Sequence, residues 1–135
     1  MIHTLHIKVG KQGLLNITPQ IEKLVNDADV SEGLCTVFVR HTSASLIIQE
    51  NADPSAKHDL ERWLNRLVAE DDPLYTHTLE GSDDMPAHIK SVLTQVSLGI
   101  PIIHGQLALG TWQGIYLWEH RHMASAREIV VHVGA

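Results

Sequence analysis

The segment "LCTVFVRH", residues 34–41, decides the fold because β-branched, aromatic and other apolar residues dominate it. Apolar side chains occupy both alternating sets of positions, a pattern typical of a strand that is covered on both faces. We therefore expect this strand near the centre of a sheet. The small-residue kink "TSAS" then leads into "SLIIQE", residues 45–50, which is predicted to continue the strand or to form its neighbour.

Further strands are predicted at the two ends of the chain. "LHIKV", residues 5–9, alternates apolar and polar residues until "GKQG" interrupts it, so it predicts an opening strand and a turn. From residue 100 onward, glycines separate β-rich segments that include "GIYLWEH" and "REIVVHV", and three or four strands are expected there.

Three helices are predicted between these strands. Thr18, which is followed by a proline, is the expected N-cap of the first helix. Asp53, also followed by a proline, is the expected N-cap of a second helix that runs to about Ala69. A third helix is expected to begin near Pro86 and to end before Gly99. Strands at both ends with helices between them favour an α+β fold whose sheet is largely antiparallel.

Composition limits the classes of function. At 135 residues the chain has the length of one domain, and its net charge of −6 is accompanied by lysines and arginines that are scattered singly. We therefore expect no binding to nucleic acid or to anionic membranes. The N-terminus lacks a basic region followed by an apolar stretch, which predicts a cytoplasmic protein without a secretory signal. The single cysteine, Cys35, excludes an intramolecular disulfide and is expected to be buried.

The ten histidines are the most unusual feature of the composition. Glycine-rich phosphate loops, serine nucleophile elbows and paired cysteine motifs are absent, so candidate chemistry rests on histidines that lie near acids. His41 ends the central strand on the same parity as Cys35, so its ring is expected to leave an apolar face. Such an imidazole is either a core residue bonded to a carbonyl group or a ligand or general base.

A second concentration of polar groups is "HTLEGSDDMPAHIK", residues 77–90, which leads into the third helix. Asp83 or Asp84 is expected to cap that helix, because helix N-termini favour carboxylates. Capping explains one of the two acids and leaves His77 and His88 either as solvated residues or as metal ligands. The spacing of the two histidines alone indicates no particular metal.

Three segments together resemble one family. "HTSASLIIQENADP", "YTHTLEGSDDMPAHIK" and "GTWQGIYLWEHR" resemble, in this order, the YjbQ-like family, whose members have been described as secondary thiamine-phosphate synthases. The resemblance covers nearly the whole chain and implies a single YjbQ-like domain, 1–135. It further implies an α+β fold with packed, mostly antiparallel, sandwich-like sheets, and a homotrimer with sites near the subunit boundaries.

The same resemblance, combined with the chemistry of the side chains, assigns candidate roles to particular positions. The expected metal ligands are His41, His77 and His88. The expected catalytic groups are His41, Asp53, Glu80, Asp84, Lys90 and Glu119. The expected substrate-binding groups are Thr42, Ser43, Asn51, Trp112, Gln113 and Arg127.

Two kinds of metal chemistry remain open. Three imidazoles with an open coordination position suit zinc. Release of pyrophosphate calls instead for magnesium on carboxylates, and for cations such as Lys90, Arg121 and Arg127 on the phosphates. The cofactor is accordingly expected to be zinc or magnesium. Trp112 is expected either to pack in a core or interface or to stack on a ligand ring.

The leading hypothesis is a low-efficiency transferase, similar to thiamine-phosphate synthase, that joins a pyrimidine pyrophosphate to a thiazole phosphate with the help of a metal. Its partners are then a small phosphorylated substrate and further copies of the chain. One alternative is a metal-dependent hydrolase of a small substrate, in which the ion activates water. Another is a non-catalytic trimer that binds a metal or ligand.

Overall fold

All paired strands in the computed structural model, which describes residues 1–135, run antiparallel. Two sheets and three helices form an α+β fold, as the sequence predicts. The strands are β1 (Ile2–Lys8), β2 (Gly13–Asn16), β3 (Gly33–Val39), β4 (Ala44–Glu50), β5 (Ser97–Ile103), β6 (Gln106–Leu107), β7 (Gln113–Glu119) and β8 (Ala126–Gly134). The helices are α1 (Thr18–Ala28), α2 (Pro54–Leu67) and α3 (Asp84–Leu93). No helix has the length and apolar character that crossing a membrane requires.

Strand β3 is central, but only one of its faces is covered by the chain. The larger sheet has the order β1-β8-β3-β5-β6, and β4 belongs to the smaller sheet, which has the order β2-β7-β4. Cys35 and Val37 are fully buried, whereas Leu34 and Phe38 are 47% and 44% exposed. The prediction of cover on both faces is therefore wrong, because successive residues of a strand face opposite sides and the second sheet lies on one side only.

The main core lies between the two sheets. Val37 and Ile129 of the larger sheet belong to the same buried cluster as Leu46 and Leu117 of the smaller sheet. Helix α1 adds side chains that recur every four residues on one of its faces, including Ile21. This arrangement agrees with the sandwich-like sheets that the family resemblance implies.

The predicted helix caps are confirmed in one case and wrong in another. Asp53 caps α2, because its side chain accepts a hydrogen bond of 2.9 Å from the N–H of Ser55. Thr18 is the first residue of α1 and not its cap, and the side chain of Asn16 accepts the Thr18 N–H at 2.9 Å. Helix α2 ends at Leu67, slightly before the expected end at Ala69. Helix α3 begins at Asp84, slightly before Pro86.

The pairing of β4 with β7 gives the smaller sheet two distinct ends. Ala44 lies opposite Glu119 at one end, and Glu50 lies opposite Gln113 at the other. At the strand rise of about 3.3 Å per residue, the two ends are roughly 20 Å apart. Helix α3 lies at the first end, where the hydroxyl of Ser91 donates to the carbonyl oxygen of Ala44 at 3.2 Å.

Candidate metal centre

The loop before α3 and the first turns of α3 bring three potential metal ligands together. The Nε2 atom of His77 lies 2.8 Å from Oδ2 of Asp84, and Nε2 of His88 lies 3.1 Å from the same oxygen. All the candidate ligand atoms of this group lie within 4.8 Å of one another. Asp84 and His88 are four residues apart on one helix, so their side chains share a face. Imidazole nitrogens and a carboxylate oxygen are ligand types that zinc accepts.

The orientation of His88 is set by a backbone group. Its Nδ1 atom lies 2.9 Å from the carbonyl oxygen of Thr42. A carbonyl oxygen only accepts hydrogen bonds, so Nδ1 carries a hydrogen and Nε2 is the ring atom that faces Asp84. Metal-binding histidines are typically held in this way. Two electron-rich atoms this close need a proton or a metal ion between them.

Asp84 is anionic although it is nearly buried, with 5% of its surface exposed. Burial raises the pKa of its carboxyl group. The hydrogen bond to His77 and the positive charges of His88 and Arg121 lower this pKa by more, so the net pKa lies below its ordinary value. Arg121 binds the oxygen that faces away from the histidines, with Nη1 donating to Oδ1 at 2.8 Å. The other oxygen, Oδ2, therefore remains for the histidines or for a cation.

Arg121 also fixes the loop that carries His77. Its Nε atom donates to Oδ2 of Asp83 at 3.0 Å, and its Nη2 atom donates to the carbonyl oxygen of Glu80 at 2.9 Å. Asp83 makes no capping hydrogen bond to α3, and Asp84 directs its oxygens to His77, His88 and Arg121. Asp83 thus occupies the predicted N-cap position of α3, but its carboxylate binds Arg121 and makes no capping hydrogen bond.

His41 is not part of this group. Its Nε2 atom accepts the N–H of Glu128 at 2.8 Å, and its Nδ1 atom lies 3.3 Å from Nη1 of Arg127. Burial, followed by the charge of Arg127, lowers the pKa of the His41 imidazole. The three histidines proposed from the sequence are therefore not brought together, and Asp84 takes the position expected of His41.

A buried ion pair lies beside His41. Arg127 donates from Nε to Oε1 of Glu119 and from Nη2 to Oε2, both at 2.6 Å, and Nη2 also donates to Oγ of Ser43 at 2.9 Å. Glu119 and Arg127 are 1% and 7% exposed. This bidentate pair occupies Glu119, Arg127 and Ser43 with one another, and it links β7, β8 and the start of β4.

The sequence and the fold can be compared with those of known proteins. Residues 3–135 match the family model described as UPF0047 protein YjbQ-like. The chain belongs to this family. It is 56% identical over 127 residues to a UPF0047 protein of Synechocystis sp., a match that covers 93% of this chain and 86% of the relative. It is also 42% identical to the UPF0047 protein YjbQ of Escherichia coli O157:H7, covering 94% of this chain and 92% of that protein.

Solved structures agree with this YjbQ-like assignment. An uncharacterized conserved protein of the YjbQ/UPF0047 family from Clostridium acetobutylicum superimposes with a TM-score of 0.90 at 34% identity, covering 98% of this chain and 99% of that one. A conserved hypothetical protein from Thermus thermophilus gives a TM-score of 0.86 at 35% identity over 98% and 99% of the two chains. The predicted family is confirmed, and the synthase-like activity stays a prediction.

The remaining expected catalytic groups of this YjbQ-like protein lie outside the histidine cluster. Lys90 is 3% exposed, donates to Oδ1 of Asn65 at 2.6 Å, and has a pKa lowered chiefly by burial. The carboxylate of Asp53 is used by the α2 cap. Glu80 is exposed, and its carbonyl oxygen is bound by Arg121.

Three expected substrate-binding residues lie at the other end of the smaller sheet. Gln113 begins β7, and Asn51 donates from Nδ2 to the Gln113 carbonyl oxygen at 3.2 Å. Trp112 is 64% exposed, so no core of this chain covers its indole. By contrast, Thr42 lies at the candidate metal centre through its carbonyl oxygen, which is bound by His88. The candidate residues therefore form three groups: the histidine cluster, the buried ion pair beside His41, and the residues at the far end of the smaller sheet.

Sequence reasoning missed one buried histidine beside these groups. Nε2 of His120 lies 2.8 Å from Oγ of Ser45, and its buried Nδ1 atom has no hydrogen-bond partner. Burial, helped by the charges of Lys90 and Arg127, lowers the pKa of His120 to about 3. The pattern "EHRH" is compatible with an H-x-H metal pair or with a polar strand end, and neither interpretation predicts that His120 is buried.

Proposed function

We propose that this YjbQ-like protein is a metal-dependent hydrolase of a small substrate, in which His77, Asp84 and His88 bind a divalent ion, preferably zinc. The observation that carries the proposal is the Thr42 carbonyl, which turns Nε2 of His88 toward Asp84 and His77. Two imidazoles and one carboxylate form a three-ligand set that leaves a position for water, as in catalytic zinc sites.

The surrounding residues suit this role. A zinc ion held by His77, Asp84 and His88 would lower the pKa of a bound water toward 7 and so would supply a nucleophile at neutral pH. Arg121 binds the outer oxygen of Asp84, and the Thr42 carbonyl binds the outer nitrogen of His88. Hydrogen bonds of this kind orient metal ligands. His77 is the most exposed of the three ligands, with 51% of its side chain accessible, so a substrate approaches from its side.

A small pocket beside His77 limits the substrate. It has a volume of about 180 Å³, and its lining includes Asp71, Asp72 and Tyr75 but no lysine or arginine. Two carboxylates, with no lysine or arginine in the lining, favour a neutral or cationic group within the pocket itself. The pocket therefore suits a small neutral or cationic ester or amide.

The charges also favour hydrolysis over pyrophosphate release. A departing pyrophosphate needs cationic donors that are free to bind it. Arg121 and Arg127 are bound to carboxylates, and Lys90 is buried against Asn65. The transferase suggested by the family resemblance thus gains no support from these side chains.

Metal analysis and activity assays test the proposal together. Protein purified without chelators is expected to hold close to one equivalent of zinc, and His77→Ala and His88→Ala to lose it. His58→Ala changes an exposed histidine on α2 and serves as the matched control. The metal-loaded protein is then assayed against small esters and amides, and activity should vanish with the metal.

Two results would reject the hydrolase. One is less than about a tenth of an equivalent of metal together with no tight binding on titration, since structural and catalytic zinc sites bind strongly. The other is metal binding without turnover of any ester or amide. Formation of thiamine phosphate from its two precursors, lost in His88→Ala, would instead establish the transferase.

Self-association into a homotrimer is also proposed, and the outer face of the larger sheet supports it. Leu34, Phe38, Val130 and Ile2 share this face by the strand register, and Leu34, Phe38 and Ile2 are exposed. Contiguous apolar surface on a sheet is typical of protein–protein contacts.

A further inference from the structure

A second pocket lies away from the metal centre, between α1 and the connection from β6 to β7. We call it the amide groove, because its lining includes Asn16, Asn26, Asn51, Gln106 and Gln113. Its volume is about 490 Å³, within the usual range for small-molecule sites. Gln113 and Asn51 lie at the end of the smaller sheet that is roughly 20 Å from Glu119. The amide groove therefore shares no residue with the candidate metal centre.

Hydrogen bonds within the protein fix the orientation of three of these amides. Oδ1 of Asn16 accepts the N–H of Thr18 at 2.9 Å, so its amino group is left for a ligand. Oε1 of Gln113 accepts the N–H of Gly110 at 2.8 Å, which leaves a second amino group. Asn51 uses Nδ2 to reach the Gln113 carbonyl and leaves its Oδ1 atom. The groove thus offers two preset donors and one preset acceptor.

The charge of the lining excludes anionic ligands. Glu22 is its one charged side chain, and no lysine, arginine or histidine lines the groove. A phosphate or carboxylate would meet a like charge and no cation. Flat aromatic rings are also disfavoured, because only three of the thirteen lining residues are hydrophobic and aromatic ligands need mainly apolar walls.

We infer that the amide groove binds a neutral, polyhydroxylated small molecule such as a monosaccharide or cyclitol. Each hydroxyl group donates and accepts at once, so neighbouring hydroxyls can match the amino groups of Asn16 and Gln113 and the oxygen of Asn51. Glu22 adds a strong acceptor for a further hydroxyl. This ligand is independent of the substrate proposed for the metal centre.

NMR of the intact protein tests the groove directly, because side-chain amides give their own signals. The probes are D-glucose, N-acetylglucosamine and myo-inositol, with inorganic phosphate as a comparison. Saturable shifts of the Asn16 and Gln113 amides are expected with at least one of the three polyols, and they should persist in His77→Ala, which lacks a metal ligand. Phosphate is expected to leave these signals unchanged.

A matched pair of variants tests the amino group of Gln113 as a hydrogen-bond donor to the ligand. Gln113→Glu retains an oxygen for the Gly110 N–H but replaces the free amino group with a charged oxygen, so affinity should fall about tenfold, the usual effect of one lost hydrogen bond. Gln95→Glu makes the same change at an exposed residue outside the groove and should bind normally. Backbone spectra confirm that both variants are folded.

Three results would overturn the inference. The first is the absence of saturation with all three polyols at about 50 mM, well above a millimolar dissociation constant. The second is a larger response of the groove amides to phosphate than to any polyol. The third is unchanged affinity in a folded Gln113→Glu variant.

Discussion

Nε2 of His88 lies 3.1 Å from Oδ2 of Asp84, one helical turn earlier, while the opposite nitrogen of the ring is bound to a backbone carbonyl. The ring can therefore rotate little, and Nε2 points in a single direction, toward Asp84. A site of this kind depends on residues that hold the ligands as well as on the ligands themselves.

Arg121→Gln is expected to weaken zinc binding about 10- to 100-fold, the usual effect of removing a group that orients a metal ligand. Arg121 binds Oδ1 of Asp84 and the Glu80 carbonyl, so its loss frees both the carboxylate and the loop. A competition titration with a zinc indicator measures the change. Arg62→Gln, an exposed substitution on α2, is the control, and equal affinities in the two variants would contradict this role of Arg121.

Arg127→Met is expected to destabilise the fold by about 3–5 kcal/mol, because it leaves a buried carboxylate without its partner. Glu119 is 1% exposed and accepts two hydrogen bonds from Arg127. The double variant Arg127→Met/Glu119→Leu removes both charges and should recover part of that loss. Urea unfolding at pH 7 gives the free energies, and a double variant less stable than Arg127→Met would contradict the explanation.

The sequence predicted the elements whose signals are local. The central strand is visible in "LCTVFV", and the cap of α2 is visible in Asp53 before a proline, because strand propensity and capping act over a few residues. The exposed outer face of β3 was not predictable in this way. Apolar residues at both parities look alike whether the second face meets another part of the chain or is left open.

Two of the three expected ligands of the candidate metal centre lie together in the structure, and the third, His41, does not. His77 and His88 follow from the family resemblance, and the Asp84–His88 spacing of four residues places both side chains on one face of α3. His41 looks equally suitable in the sequence, but its ring nitrogens face Glu128 and Arg127. Those two residues are more than eighty positions away, and no short-range pattern reports such contacts.

Phe38→Asp is expected to disrupt the proposed homotrimer by placing a charge on the outer face of the larger sheet. Phe38 is paired with Val130 of β8, and 44% of its surface is exposed in the single chain. Light scattering after size-exclusion chromatography should give three times the mass of one chain for the wild type and a lower mass for the variant. Val92→Asp, exposed on α3 away from the sheet, is the control, and a trimer in Phe38→Asp would argue against this interface.

His120 is expected to make stability depend on pH between about pH 6.5 and pH 3. Its pKa is lowered to about 3 by burial and by the charges of Lys90 and Arg127. In the unfolded chain the imidazole regains a pKa of about 6.5, so below that pH the unfolded state binds a proton that the folded state does not. The contribution of His120 is therefore fully present above about pH 6.5 and is lost as the pH falls toward 3.

His120→Gln isolates this contribution, because glutamine retains a polar group for the hydroxyl of Ser45 but does not titrate. The wild type should lose roughly 1 kcal/mol more than the variant on going from pH 7.5 to pH 5.5, since each unit of pKa difference corresponds to about 1.4 kcal/mol. His41, whose pKa is also lowered, is present in both proteins and cancels in the comparison. Urea unfolding at the two pH values gives the four free energies. Equal losses in the two proteins would mean that His120 is protonated in the folded state, and its buried Nδ1 atom would then need an acceptor that the surrounding residues do not provide.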